Sequence, residues 1–211
     1  MLKVWGRSTS SNVQKVVWLC DEIGLPFERI DAGGKFGRVN EPEYRAMNPN
    51  GRVPTIVDGD FVLWESNTIC RYLAAKHGAT SVYPAPLQAR ADTERWMDWA
   101  STTLGPALHQ AFWGLIRTPA AQQDPAAIRA SAEGAAAALS IVDARLADRA
   151  FLCGDALTLG DIAVGVHAYR WLHLPFDRVD YVRPAVPNLR RWHDRLAERP
   201  PYRTWVMIEI V

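Results

Sequence analysis

Every segment that reads as a β-strand lies before Glu65, and from Leu87 onward only helical spacing remains. The chain can therefore build one small sheet early and must complete itself with helices. Leu2–Gly6 (LKVWG) is a short apolar run with β-branched and aromatic content. Ser10, Ser11 and Asn12 supply cap-type residues. After them Val13, Val16, Val17 and Cys20 recur at i, i+3, i+4 and i+7, which makes one helix face apolar. Gly24 and Pro26 end that helix. Phe27–Asp31 alternates as a second strand, and Gly33–Gly37 breaks the pattern into a loop. Val53–Trp64 reads as a hairpin turning on Asp58-Gly59, a dipeptide suited to a type I′ turn. Ile69, Tyr72, Leu73 and Lys76 space out as a helix ending near Gly78. The order is β-α-β, a long connection, then β-β-α.

The segment Ala79–Pro86 holds two prolines among small residues and suits a linker. It divides the chain into 1–79, a connecting 80–87, and 88–211. Beyond it the helical spacing is partly alanine-rich, as in Ala130–Leu146. Thr158 and Asp161 stand as N-cap and N3 of an Asp variant of the capping box, with Leu157 and Ile162 at the hydrophobic-staple positions. A buried helix is expected to begin there.

Charge and cysteine content narrow the partners. Lys and Arg number 24 against 23 Asp and Glu, a net charge of +1 that argues against non-specific nucleic-acid binding but leaves room for a local basic pocket. No apolar run approaches the roughly 20 residues of a membrane span, and the opening MLKVWGRSTSS has no signal-peptide core, so a cytoplasmic protein without membrane contact is expected. Cys20, Cys70 and Cys153 are widely spaced and lack metal-like spacing. They read as free thiols packed as small hydrophobes. His109, His167 and His173 show no metal spacing either and read as structural.

The β-α-β/β-β-α order followed by helices suggests an α/β thioredoxin-like domain joined to an all-α helical domain. Three motifs give that suggestion a family. Asn48–Ala74 (NPNGRVPTIVDGDFVLWESNTICRYLA) resembles the glutathione-binding stretch of cytosolic glutathione transferases. Thr158–Ala163 (TLGDIA) resembles their second-domain capping box, and GRSTSSNVQKV resembles the active-site loop of the serine- and threonine-type bacterial classes, theta-, phi- and nu-like. The motifs fall in the family's order over nearly the whole chain. The resemblance implies glutathione as co-substrate, no metal, a homodimer with active sites near the interface, and a detoxifying attack of glutathione thiolate on a small apolar electrophile.

It also implies roles for particular residues. In the family the bond corresponding to Val53-Pro54 is cis and turns the backbone of Val53 toward an extended peptide; alone, Pro54 would read as a trans edge-strand proline. Ser66, at a helix start, suits the γ-glutamyl carboxylate, and Glu65 the ammonium on the same carbon. Without the motif they read as a cap and a first-turn acid. Arg52 fits either the glycyl carboxylate or a solvated surface position. Many relatives place His or Lys about thirteen residues earlier, where this chain has Val39; Lys35 or Arg38 could substitute.

Ser10 is the catalytic candidate, with Asn12 as a second donor and Ser11 beside the bound glutathione. One hydroxyl bond and a helix end could lower a thiol pKa from about 8.5 by a unit or two. Thr9 and Ser11 are rival donors, plain capping competes for Ser10, and Trp5 fills the place of a strand-end tyrosine. For the electrophile, Trp96, Trp99, Thr103, Phe112, Trp113 and Arg117 share one long helical stretch, where core packing is the alternative for each. Two further functions stay open: glutathione-dependent disulfide or peroxide reduction, for which Ser10-Ser11-Asn12 has the Thr/Ser-x-Asn spacing, and a non-catalytic assembly module.

Overall fold

The computed structural model describes residues 1–211. Strands β1 (Leu2–Trp5), β2 (Phe27–Ile30), β3 (Thr55–Asp58) and β4 (Phe61–Trp64) form one sheet in the order β2-β1-β3-β4. β1 and β2 run parallel, Leu2 beside Phe27 and Trp5 beside Ile30. A parallel pair needs a crossover, and helix α1 (Ser11–Glu22) provides it. β3 is antiparallel to both β1 and β4. This is the thioredoxin-like arrangement the element order suggests.

The hairpin turn differs from the sequence expectation. Asp58 pairs with Phe61, so the turn's central residues are Gly59 and Asp60 rather than Asp58 and Gly59. Gly59 has φ +63° and Asp60 has no positive φ, which is the type II′ pattern instead of I′. Asp58 is drawn into the strand end because its carboxylate accepts from the Tyr72 hydroxyl at 2.8 Å and from Lys76 Nζ at 2.5 Å. Both partners come from α3 (Ser66–Lys76). They also hold the Asp58 carboxyl below its usual pKa, Lys76 first and Tyr72 second.

Helix α1 departs further. Val13, Val16, Val17 and Cys20 are buried as their spacing predicts, but so are Gln14, Lys15, Trp18 and Leu19. The apolar stripe is only half of what is covered, because α7 (Leu159–His173) and α9 (Pro200–Trp205) close over the other side. Trp18 meets Tyr202 edge-on with centroids 4.8 Å apart. Gly165 on α7 permits this approach, since a Cβ there would stand 3.2 Å from the Trp18 ring. Glu22 pairs with Arg199, and Trp205 Nε1 donates to Asp21 at 3.0 Å.

The connection before the hairpin contains a short helix the spacing did not reveal, α2 (Pro42–Met47). The helical half comprises α4 (Leu87–Trp99), α5 (Gly105–Phe112), α6 (Pro125–Arg145), α7, α8 (Pro187–Ala197) and α9. α4 and α5 belong to one rod, interrupted by wide π-turns at Ala100–Leu104 and Trp113–Arg117. Pro106 accounts for the first, since a proline inside a regular helix removes a hydrogen bond and collides with the carbonyl four residues back.

α7 starts as predicted. The buried Asp161 carboxylate accepts from the Thr158 N–H and hydroxyl, each at 2.9 Å, from the Leu152 N–H at 2.9 Å, and from Trp192 Nε1 at 3.0 Å. Burial pushes its pKa up and these four donors oppose the rise. One carboxylate thus ties α7 to α8 and to the preceding turn. Asp161→Ala strands three buried N–H donors, those of Leu152, Thr158 and the Trp192 indole, and is expected to cost about 3 kcal/mol of stability. Urea unfolding of the variant measures this; a loss below about 1 kcal/mol would mean the network is dispensable.

Candidate active site

A cavity of about 770 Å³ opens between the N-terminal ends of α1 and α3 and the α4–α5 rod. On its β-sheet side lies the cis Val53-Pro54 bond. The approach to it is braced from α2 and the residue after it. Tyr44 Oη donates to the Arg52 carbonyl at 2.7 Å, and Asn48 Nδ2 donates to the same carbonyl at 2.9 Å. Asn48 also reaches Thr55 Oγ1 at 3.1 Å. The N–H and C=O of Val53 enter no hydrogen bond of the chain. A donor and an acceptor on one residue therefore border the cavity unpaired.

Glu65 follows β4 directly and takes φ +75°, a conformation that costs a non-glycine residue on the order of 1–3 kcal/mol. It is held there as the residue that caps α3, its carbonyl accepting the Ile69 N–H at 2.8 Å. Glu65 and Ser66 both line the cavity, with Ser66 in the first turn of α3, where N–H groups lack helical partners.

The α1 end faces them. Ser11 and Asn12 line the cavity; Ser10 stands one position back as the N-cap residue. Its carbonyl accepts the Gln14 N–H at 2.8 Å, but its hydroxyl makes no capping bond and is free to donate elsewhere. Asn12 Oδ1 accepts from Lys15 Nζ at 3.1 Å and from the Ser66 hydroxyl at 3.3 Å, which leaves the Asn12 amide N–H₂ unspent. Lys15 is 1% exposed and lines the cavity. Burial brings its pKa down to about 8; Arg170 lowers it further, while Cys70 and Glu65 oppose.

The far wall departs from the sequence expectation. Phe112 lines the cavity, but Trp99, Thr103, Trp113 and Arg117 do not. Trp99 packs edge-on against Trp96, centroids 5.4 Å apart, Thr103 faces solvent, and Trp113 is 51% exposed and stacked on His109. Arg117 is also exposed, its guanidinium donating to the Val211 carbonyl at 2.5 Å. Uniform 3.6-residue spacing does not hold through two π-turns, so residues on this one stretch do not present a common face to the cavity. Ala100, Ser101, Pro106 and Leu108 take their places.

Two histidines expected to be structural, His109 and His167, also line the cavity. Burial, then Lys15 and Arg170, push the His167 pKa well below its usual value, so it is neutral at physiological pH. His173 stacks on Tyr169 at 4.3 Å, away from the cavity. Arg52 lines the cavity, whereas Arg38 lies over the Trp5 ring and Lys35 over Phe36. Lys15 carried a readable signal, being the one cation in an apolar helix and four residues after Ser11. Arg170, also in the lining, had none.

Because Glu65 raises the Lys15 pKa, Glu65→Ala should lower it below 8. NMR titration of the lysine ε-carbons checks this. A Lys15 signal that titrates near 10.5, the ordinary lysine value, would contradict the burial argument.

Residues 1–75 match the glutathione S-transferase N-terminal domain family and residues 104–200 the C-terminal domain family. The chain is 42% identical to glutathione S-transferase GstB of Escherichia coli over all of both chains. It is 32% identical to glutathione S-transferase 3 of Zea mays over 97% of this chain and 93% of that one. Among solved structures, the theta class glutathione S-transferase of Xanthomonas axonopodis pv. citri with glutathione bound superposes with a TM-score of 0.93 at 42% identity, covering 100% of this chain and 99% of that one. With family matches over both halves and 42% identity along the whole chain, the chain belongs to the cytosolic glutathione S-transferase family.

Proposed function

We propose that the protein is a glutathione transferase that binds glutathione in this cavity and presents it as thiolate to a small electrophile. The observation that carries this reading is the unpaired N–H and C=O of Val53, bordering the cavity that Glu65, Ser66, Ser11 and Asn12 also line. Those two groups suit the backbone of an extended peptide. Ser66 and the open N–H groups of α3 suit its γ-glutamyl carboxylate, Glu65 its ammonium, and Arg52 its glycyl carboxylate.

The thiol would then lie by the α1 N-terminus, near Ser10, Ser11 and Asn12. A hydroxyl donor, the helix end and the buried Lys15 charge all favour thiolate over thiol. The proton goes to solvent, and the thiolate attacks the electrophile, whose body rests on Phe112, Leu108 and Ala100. Ser10 remains the first candidate because its hydroxyl makes no capping bond. Disulfide reduction is the second reading, favoured by the unspent Asn12 amide in the cavity lining.

The reading also takes the protein as a cytoplasmic homodimer. Phe61, Val62 and Trp64 on edge strand β4 are exposed, which supports a covering partner copy next to Glu65. Sedimentation at micromolar concentration should give twice the 23.6 kDa chain mass, and a species at 23.6 kDa would remove the dimer.

Glu65→Ala should weaken glutathione binding by about 2 kcal/mol, the size of one lost charge-assisted bond. Calorimetry giving unchanged affinity in a folded variant would take Glu65 out of the site. Ser10→Ala should cut turnover roughly tenfold or more while Asn12→Ala does little. The reverse order, with disulfides outpacing haloarenes, would establish the second reading.

A further inference from the structure

The corner where α7, α8 and α9 meet holds two histidines that the cavity does not use. His193, on α8, is 8% exposed, and its Nε2 is buried without a hydrogen-bond partner. Aromatic rings enclose it. Tyr169 of α7 lies parallel with centroids 6.2 Å apart, and Tyr202 of α9 meets it edge-on at 5.9 Å. The His173 ring, at the end of α7, stands 5.4 Å away and donates from Nδ1 to the Tyr169 carbonyl at 2.8 Å. The same corner roofs the core. Tyr202 also packs on Trp18, and the Tyr169 hydroxyl donates to the Ile208 carbonyl at 3.2 Å, which pins the segment after α9.

This enclosure suits a neutral ring and not a charged one. Imidazolium carries an N–H on both nitrogens, so a proton on Nε2 would be sealed in without an acceptor. From α7 His173 adds like charge, as does Arg190 on the same helix as His193, and from α9 the ring meets Tyr202. Asp194 is the opposing charge, 3.6 Å from Nδ1, but it is 81% exposed and screened by water. Burial first and His173 second hold the His193 pKa below its usual value, against Asp194. A group so lowered takes its proton more readily once uncovered. Opening is therefore favoured as pH falls below the ordinary histidine value of about 6.5, and not above it.

We propose that this corner is an acid-sensitive latch, in which protonation of His193 lifts α9 and the segment after it away from α1 while the sheet stays folded. α9 has six residues, and so short a helix opens at lower cost than the paired strands. Lifting it wets the His193 ring and gives the Nε2 proton water to bond. The inference goes beyond the glutathione reading and does not rest on it, because Tyr169, His173, His193 and Tyr202 all lie outside the cavity lining. Its effect reaches the cavity through α1, whose Trp18 the latch covers.

Amide hydrogen exchange tests this, with wild type and His193→Phe compared at about pH 7.5 and about pH 5.5. The variant keeps a ring but cannot take the proton. Comparison at equal pH cancels intrinsic exchange rates, and His167, whose pKa burial also lowers, is common to both proteins. In α9 and residues 206–210 the ratio of wild-type to variant rate should rise about tenfold between the two pH values, while in β1 and β3 it stays constant. His173→Gln removes a like charge and leaves the buried ring in place, so at about pH 5.5 it should slow α9 exchange about twofold or more relative to wild type. That comparison decides the matter if His193→Phe does not fold. A ratio that does not change with pH, or no slowing in His173→Gln, overturns the proposal. So does an acceleration that extends equally to β1 and β3, which would be global unfolding rather than a latch.

Discussion

Helix α1 has no free side, and that constraint organises both the fold and the cavity. Its Val13 packs against the turn at Gly6, where a Cβ would stand 2.4 Å from a valine methyl, and its Trp18 is enclosed by α7 and α9. Fully burying a tryptophan contributes several kcal/mol, as much as a sizeable share of a domain's net stability. The helical half is therefore bonded through α1 to the sheet, not merely joined to it by the chain between α3 and α4. The loop before α1 is in turn held from α7, where Arg170 donates to the Thr9 carbonyl at 2.8 Å, and the wide turn before Pro106 shapes the wall across the cavity.

What the clamped helix presents to the cavity is positive potential. Two helix N-termini, a buried lysine and Arg170 converge there, against one carboxylate, Glu65. The unpaired Val53 groups and the strained Glu65 backbone are tolerated because Tyr44, Asn48 and the start of α3 hold them. Electrostatics and positioned donors act together on any anion that enters, whether a peptide carboxylate or a sulfur losing its proton.

How much of this was legible in the sequence depended on distance along the chain. The strands and helices of the first half and the Thr158–Asp161 cap are local, each decided within a few residues, and both are legible in the spacing. Val53, Pro54, Glu65 and Ser66 lie within one contiguous motif and line one cavity. The second covered side of α1 was not legible, because the residues that cover it follow some 150 positions later. The same holds for Arg170, a solitary arginine late in α7. The far wall was not legible for another reason: Trp99, Thr103, Trp113 and Arg117 belong to one long helical stretch, but Pro106 and two π-turns break its regular period and turn them away from the cavity. The hairpin turn slipped by one residue because Tyr72 and Lys76, from the next helix, pull Asp58 into the strand.

The account stands on the α1 end lowering the thiol pKa of glutathione held by Val53, Glu65 and Ser66. The ultraviolet absorbance of thiolate, titrated with glutathione saturating the protein, measures it directly. A midpoint about one unit or more below the free-thiol value of about 8.5 is predicted. A midpoint at the free value, with glutathione demonstrably bound, would show that the cavity holds the peptide without activating its sulfur.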